Sequence, residues 1–181
     1  TGVATHMRET FSKTLYRIAK QDPKVFIAVA DISPAGSMAP FREEFPDHFI
    51  NVGVAEQNMI GIASGLANVG FVPVCYAITN FLTERCFEQI RNDICYHELN
   101  VNIVSMGGGF SYGSLGITHH STEDLAIMRS LPNITVVSPS GHWEITGATK
   151  ALIDEPSPGY LRLDKSCGDD SPSLENKEKY K

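Results

Sequence analysis

These 181 residues contain no apolar stretch of the ~18 residues that a bilayer span requires, and no charged-then-apolar leader opens them. The expectation is a soluble, unexported, cytoplasmic protein without a membrane partner. Basic runs are missing too: Lys and Arg number 15 against 21 Asp and Glu, net charge is −6, and the cations are scattered singly. Nucleic acid is therefore a poor fit as the main partner. The four cysteines, Cys75, Cys86, Cys95 and Cys167, stand too far apart for a Cys-x-x-Cys redox or zinc motif and read as reduced and structural. No Gly-Lys-Ser/Thr follows the glycine-rich segment 107–116, and its spacing does not match a dinucleotide fingerprint. No Asp, Glu or Cys cluster lies at ligand spacing around His119 and His120, whose consecutive side chains diverge. This chain alone is not expected to bind a metal.

What is present suits one globular domain with an ample core, at 42% hydrophobic and 20% charged residues. Residues 1–7 read as a tag remnant or disordered start, 8–165 as the folded domain, and 166–181 as a polar, disordered tail poor in apolar residues. Within the domain, helical spacing over 8–21 stops at Asp22-Pro23 before the apolar run 25–30. Strands then follow over 49–52, 72–78, 101–104, 134–137 and 160–163, with helices over 55–69, 82–95, 123–129 and 143–154 between them. Six short, continuously apolar strands separated by helices predict a doubly wound α/β domain, its parallel sheet of about six strands covered on both faces. Ligands of such sheets bind beyond the carboxyl ends of the strands. Asp31, the turn at Gly53 to Glu56, Asn80-Phe81 and the glycine-rich segment ending at His119 and His120 all fall there.

Glu56 demands the most explanation, because it stands in the first turn of a helix whose Ile60, Ile62, Ala63, Leu66 and Ala67 make it apolar on nearly every face. Burial disfavours a carboxylate's charge and a helix N-terminus favours it, so a Glu placed there is suited to sharing a proton with a bound nitrogen base. A capping carboxylate is the ordinary alternative. The other candidates also have ordinary readings: Asp31 as a turn residue, Phe81 and Phe87 as core, Arg162 as a solvated sheet-end cation, the His pair as loop structure. Their placement at one edge of one sheet favours a site.

Three ordered segments carry a resemblance: Asn51-Val52-Gly53-Val54-Ala55-Glu56-Gln57-Asn58; Phe81 through Phe87-Glu88-Gln89-Ile90-Arg91-Asn92; and Gly116-Ile117-Thr118-His119-His120. Over roughly 8–165 the chain resembles the pyrimidine-binding domain of the transketolase family, thiamine-diphosphate enzymes with split, two-subunit bacterial relatives. The resemblance implies that Glu56 hydrogen-bonds the cofactor's aminopyrimidine and promotes the tautomer that generates the reactive thiazolium ylid. It implies that Phe81, with Phe87 as a weaker candidate, walls the aminopyrimidine, an aromatic contact worth about 1 kcal/mol. His119 would transfer a proton or stabilise an oxyanion, and Arg8, Asp31, His120 and Arg162 would line the substrate channel, the two arginines suiting a sugar phosphate.

Departures from the family pattern narrow these implications. Leu115 stands where full-length transketolases usually carry an acidic residue, and Glu84 where some relatives have an aromatic. The Phe110 to Leu115 insert resembles the split subtype. The Gly-Asp-Gly diphosphate and metal motif is missing, Gly168-Asp169-Asp170 being a decoy with too little chain after it. Thiamine diphosphate would thus be shared with a diphosphate-binding transketolase-like subunit that holds Mg²⁺, in a dimer or heterotetramer. The leading expectation is transfer of a two-carbon ketol unit between sugar phosphates. The alternatives are a decarboxylating carboligase subunit like deoxyxylulose-phosphate synthase, a non-catalytic partner module, and a flavodoxin-like nucleotide binder.

Overall fold

A computed structural model describes residues 6–32 and 37–165. Six parallel strands form one sheet: β1 (Val25–Val29), β2 (Phe49–Asn51), β3 (Val72–Ile78), β4 (Asn102–Met106), β5 (Thr135–Val137) and β6 (Gly159–Leu163), in the order β2-β1-β3-β4-β6-β5. Registers such as Ile27 with Val74 and Tyr76 with Val104 keep the strand ends level. The helices are α1 (Met7–Ala19), α2 (Ala39–Glu44), α3 (Glu56–Asn68), α4 (Thr79–Thr83), α5 (Phe87–Gln89), α6 (Asp124–Arg129) and α7 (His142–Asp154).

Strand side chains alternate between two cores. Val25, Ile27, Val29, Val74, Tyr76, Val104, Met106, Leu161 and Leu163 point to one, under α1 and α7. Ala28, Cys75, Ala77, Ile103 and Tyr160 point to the other, under α3 and the segment 82–95. Covering on both faces is why the strands carry no polar alternation. In α1, Met7, Phe11 and Leu15 recur one turn apart and are buried, with the Phe11 ring stacked 6.1 Å from Tyr76. Met7, left outside the domain by the boundary expected at Arg8, is thus part of the core.

Three local expectations differ from the structure. The single helix expected over 82–95 is broken: α4 ends at Thr83, α5 begins at Phe87, and a π-helical turn runs from Ile90 to Cys95. The reason lies in the link between α4 and α5, where Glu84 accepts a hydrogen bond from Ser121 and the Arg85 carbonyl accepts one from Gln57. The second difference is α2, a short helix in which only Phe41 is buried, too brief for a periodic signal. The third is α3, expected to be buried on nearly every face. It buries Glu56, Met59, Ile60 and Ala63, while Gly61 and Gly65 are exposed and Ile62 and Leu66 half-buried. The tail expected over 166–181 lies outside the described residues.

Cys75, Cys86 and Cys95 are free and buried, while Cys167 lies outside the described residues. Burial pushes the Cys75 thiol well above the ordinary range, and lifts Cys86 to about 12, with help from the nearby Glu56 charge, and Cys95 to about 11. Since only the thiolate reacts, alkylation of the native protein at pH 8 is expected to spare these three cysteines, and denaturation to expose them. Peptide mass mapping before and after unfolding checks this.

Candidate active site

At the carboxyl edge of the sheet, Asn51 closes β2 by accepting hydrogen bonds through Oδ1 from the backbone N–H groups of Asp31 and Gly53, both at 3.0 Å. This ties the ends of β1 and β2 together. Gly53 then turns the chain with φ +74°, a conformation that glycine adopts without strain. The turn delivers Glu56 to the first position of α3, where it is only 4% exposed.

The carboxylate is not left alone. Arg85 Nη1 donates to Glu56 Oε2 at 2.7 Å, and its guanidinium carbon lies 4.4 Å from the centroid of the Phe81 ring. Phe81 comes from α4, directly after β3. On from Phe81, the His119 ring meets it edge-on at 5.2 Å, and Tyr112 lies 5.8 Å from His119. His119 Nδ1 is 3.0 Å from the Thr118 hydroxyl, which leaves Nε2 as the nitrogen able to serve a ligand. Glu56, Arg85, Phe81, His119 and Tyr112 thus form one continuous chain of contacts across the sheet edge.

The loop carrying His119 is held at both sides. Asn80 Nδ2 donates to the Thr118 carbonyl at 2.6 Å, and at the loop's base Gly109 pairs with Ser121, whose hydroxyl donates to Glu84 at 2.7 Å. Beyond Tyr112 opens a cleft of about 230 Å³ lined by His6, Arg8, Met106, Tyr112, Asp164 and Lys165. Lys165 Nζ lies 4.3 Å over the Tyr112 ring. Burial raises the Tyr112 phenol above its usual range, against the pull of the Arg8 charge. The cleft thus presents two cations, a neutral phenol and one carboxylate, Asp164, whose Oδ1 accepts a hydrogen bond from the Ser111 hydroxyl.

The sequence over residues 4–168 matches the family description "Transketolase, pyrimidine binding domain". The chain belongs to the transketolase pyrimidine-binding family. It is 37% identical over 90% of its length to a Methanocaldococcus jannaschii protein, provisionally named a transketolase C-terminal section, and covers 51% of that protein. It is 36% identical over 96% of its length to an apulose-4-phosphate transketolase subunit of Actinobacillus succinogenes, covering 55% of it. A solved split-gene transketolase, an inactive beta4 tetramer, superposes with a TM-score of 0.81 at 35% identity, over 95% of this chain and 54% of that one. The chain therefore spans about half the length of the curated relatives it matches.

Within this pyrimidine-binding domain, the remaining candidates are placed differently. Arg162 is neither a solvated cation nor directed only at a ligand: its Nε lies 3.0 Å from Asp124 Oδ2, a carboxylate 1% exposed that also accepts from the Tyr160 hydroxyl at 2.8 Å. Tyr160 in turn meets Ser105 at 2.8 Å. His120 Nε2 donates to the Gly113 carbonyl at 2.9 Å, with its ring against Phe110, so it braces the loop. Phe87 packs on the core beneath α3. Asp31 is exposed at φ +47°.

Nothing in the sequence pattern pointed to Arg85, Tyr112, Asn80 as a loop tie, or Lys165. Arg85 falls inside what reads as one continuous helix, where an Arg signals a solvated face. Only the break between α4 and α5 turns it toward Glu56. Gly108 has a reason the sequence hides as well, since a Cβ there would collide with the Arg162 guanidinium. Breaking a buried ion pair by removing one partner costs about 3–5 kcal/mol. Arg162→Ala is expected to destabilise by that amount, Gly108→Ala by displacing Arg162, and the double variant by little more than Arg162→Ala alone. Urea denaturation of the four proteins in a double-mutant cycle measures the coupling.

Proposed function

We propose that this chain is the pyrimidine-binding half of a split transketolase-like enzyme that transfers a two-carbon ketol unit between sugar phosphates. One observation carries the reading: a carboxylate 4% exposed faces a flat, N–H-bearing cation that lies over an aromatic ring. A cradle that accepts a guanidinium in this way has the shape and polarity for an aminopyrimidine. The residues present therefore fit that half of thiamine diphosphate. When bound, thiamine diphosphate supplies the electron sink that allows a carbon–carbon bond beside a carbonyl to be broken and remade.

Glu56 would hold a proton at the ring nitrogen facing it, a role suited to a buried carboxylate at a helix N-terminus. Phe81 would cover one face of the ring and exclude water. His119, aimed by Thr118 and packed against Phe81, would present Nε2 to a substrate oxygen for proton transfer or charge stabilisation. Arg8 and Lys165 would attract the substrate phosphate to the cleft beside Tyr112. Arg162 would act at one remove, fixing the glycine-rich loop through Gly108.

No group of three or more His, Cys, Asp or Glu side chains able to hold a metal ion occurs among the described residues. The diphosphate and Mg²⁺ are assigned to a partner subunit. Exposed apolar side chains support such a partner: Val54, Phe110 and Ile117 are 75%, 70% and 83% exposed on the loops that carry the site. A split transketolase whose beta4 tetramer is inactive suits a chain that needs a second subunit. No described helix is long and apolar enough to cross a membrane.

Calorimetric titration of thiamine diphosphate with Mg²⁺ is expected to show binding to a mixture of this chain with a diphosphate-domain subunit, and Glu56→Ala to remove it. Binding that survives Glu56→Ala would sink the assignment of the cradle. In the same mixture His119→Ala is expected to lower kcat by about a hundredfold or more while leaving cofactor affinity unchanged. Steady-state kinetics with a ketose phosphate donor checks this.

A further inference from the structure

The Arg85 side chain does two things at once that a bound aminopyrimidine would do. It donates an N–H to Glu56 Oε2 at 2.7 Å, and its planar head lies 4.4 Å from the centroid of Phe81. A ring seated between Glu56 and Phe81 needs the same donor position and the same aromatic face. Both groups cannot be there together. We propose that Arg85 is an internal occupant of the cradle, which competes with the incoming nitrogen base and keeps the Glu56 charge compensated until that base arrives.

Local geometry equips Arg85 for the exchange. Its backbone is anchored, since Gln57 Nε2 donates to the Arg85 carbonyl at 3.0 Å and the Arg85 N–H reaches the Asn80 carbonyl at 3.3 Å. Its side chain is 43% exposed, in contrast to 4% for the Glu56 side chain. The head can therefore swing to solvent by rotation of side-chain bonds while the link between α4 and α5 stays fixed to α3. Glu56 has no such freedom and needs a donor in either state. A guanidinium suits the holding role because it is flat, permanently charged and stacks on aromatic faces, which an ammonium does less well.

This inference rests on the reading of Glu56 and Phe81 as the aminopyrimidine cradle, and one set of titrations tests the two separately. The probe is 4-amino-2-methylpyrimidine, titrated into the full chain and followed by ligand-observed NMR, with wild type, Arg85→Ala, Arg85→Lys and Glu56→Ala compared. Arg85→Ala is expected to bind the probe about tenfold tighter or more, the equilibrium worth of one charge-assisted hydrogen bond no longer broken on binding. Arg85→Lys should fall between, and Glu56→Ala should lose binding. Thermal melting should show Arg85→Ala less stable than wild type. A residue with a merely structural role would weaken stability and binding together, whereas an occupant weakens the first and strengthens the second. Unchanged or weaker binding in both Arg85 variants, with Glu56→Ala still abolishing it, would overturn the occupant role and leave the cradle standing. Absence of binding in every variant, or full binding by Glu56→Ala, would overturn the cradle and the occupant with it.

Discussion

A carboxylate taken out of water destabilises a fold by several kcal/mol unless a cation and hydrogen-bond donors compensate it. Among the described residues, two are buried at the same edge of the sheet. Glu56 and Asp124 are 4% and 1% exposed, and each is met by an arginine from another element, Arg85 and Arg162. The two pairs differ in kind. Arg162, its side chain 24% exposed, stands against Gly108 of the glycine-rich loop, and Tyr160 and Ser105 extend the network from its partner Asp124. Arg85 is half exposed, bound to Glu56 through one guanidinium nitrogen and lying over an aromatic face. The first pair has the character of a fixed support and the second that of a contact able to open.

The sheet explains why these groups meet. Parallel strands send every carboxyl end to one edge, and the order β2-β1-β3-β4-β6-β5 sets the loops after β1, β2, β3 and β4 side by side. The ends of β2, β3 and β4 deliver the components: Asn51 as the tie, Glu56 as the buried acid, Phe81 as the aromatic face, His119 as the polar ring. The glycines of the loop after β4 have particular tasks. Gly107 and Gly109 take φ of +82° and +60°, and Gly108 leaves room for Arg162. The apolar side chains standing out from the same loops give the edge the character of a surface made to be covered.

Much of this is legible from the residues. Continuous apolar runs separated by helical spacing indicate a doubly wound parallel sheet, because strands covered on both faces have no polar alternation to show. Glu56 stands out because an acid precedes an apolar helix, and the Asn51, Phe81 and His119 segments follow in family order. The expectations that fail share a cause. The helix expected over 82–95 is locally plausible at every residue, and only contacts from Gln57, Glu56 and Ser121, distant in the chain, break it. Local pattern overstates the burial of α3 because its sequence is apolar all round while this chain supplies a neighbour for only one side. Arg162 resembles a free cation because its partner, Asp124, lies 38 residues away in the sequence.

The layers, the parallel sheet, the edge that carries the candidate site, and the acid and aromatic residues placed there are all written in the order of residues, because they depend on local periodicity and on which residue follows which strand. Which charges pair depends on the packed fold. That Arg85 lies between Glu56 and Phe81, that Arg162 belongs to Asp124, and that Tyr112 joins His119 to the Arg8 cleft are consequences of how elements remote in sequence approach one another. Side-chain pairing across a sheet edge leaves no period in the chain.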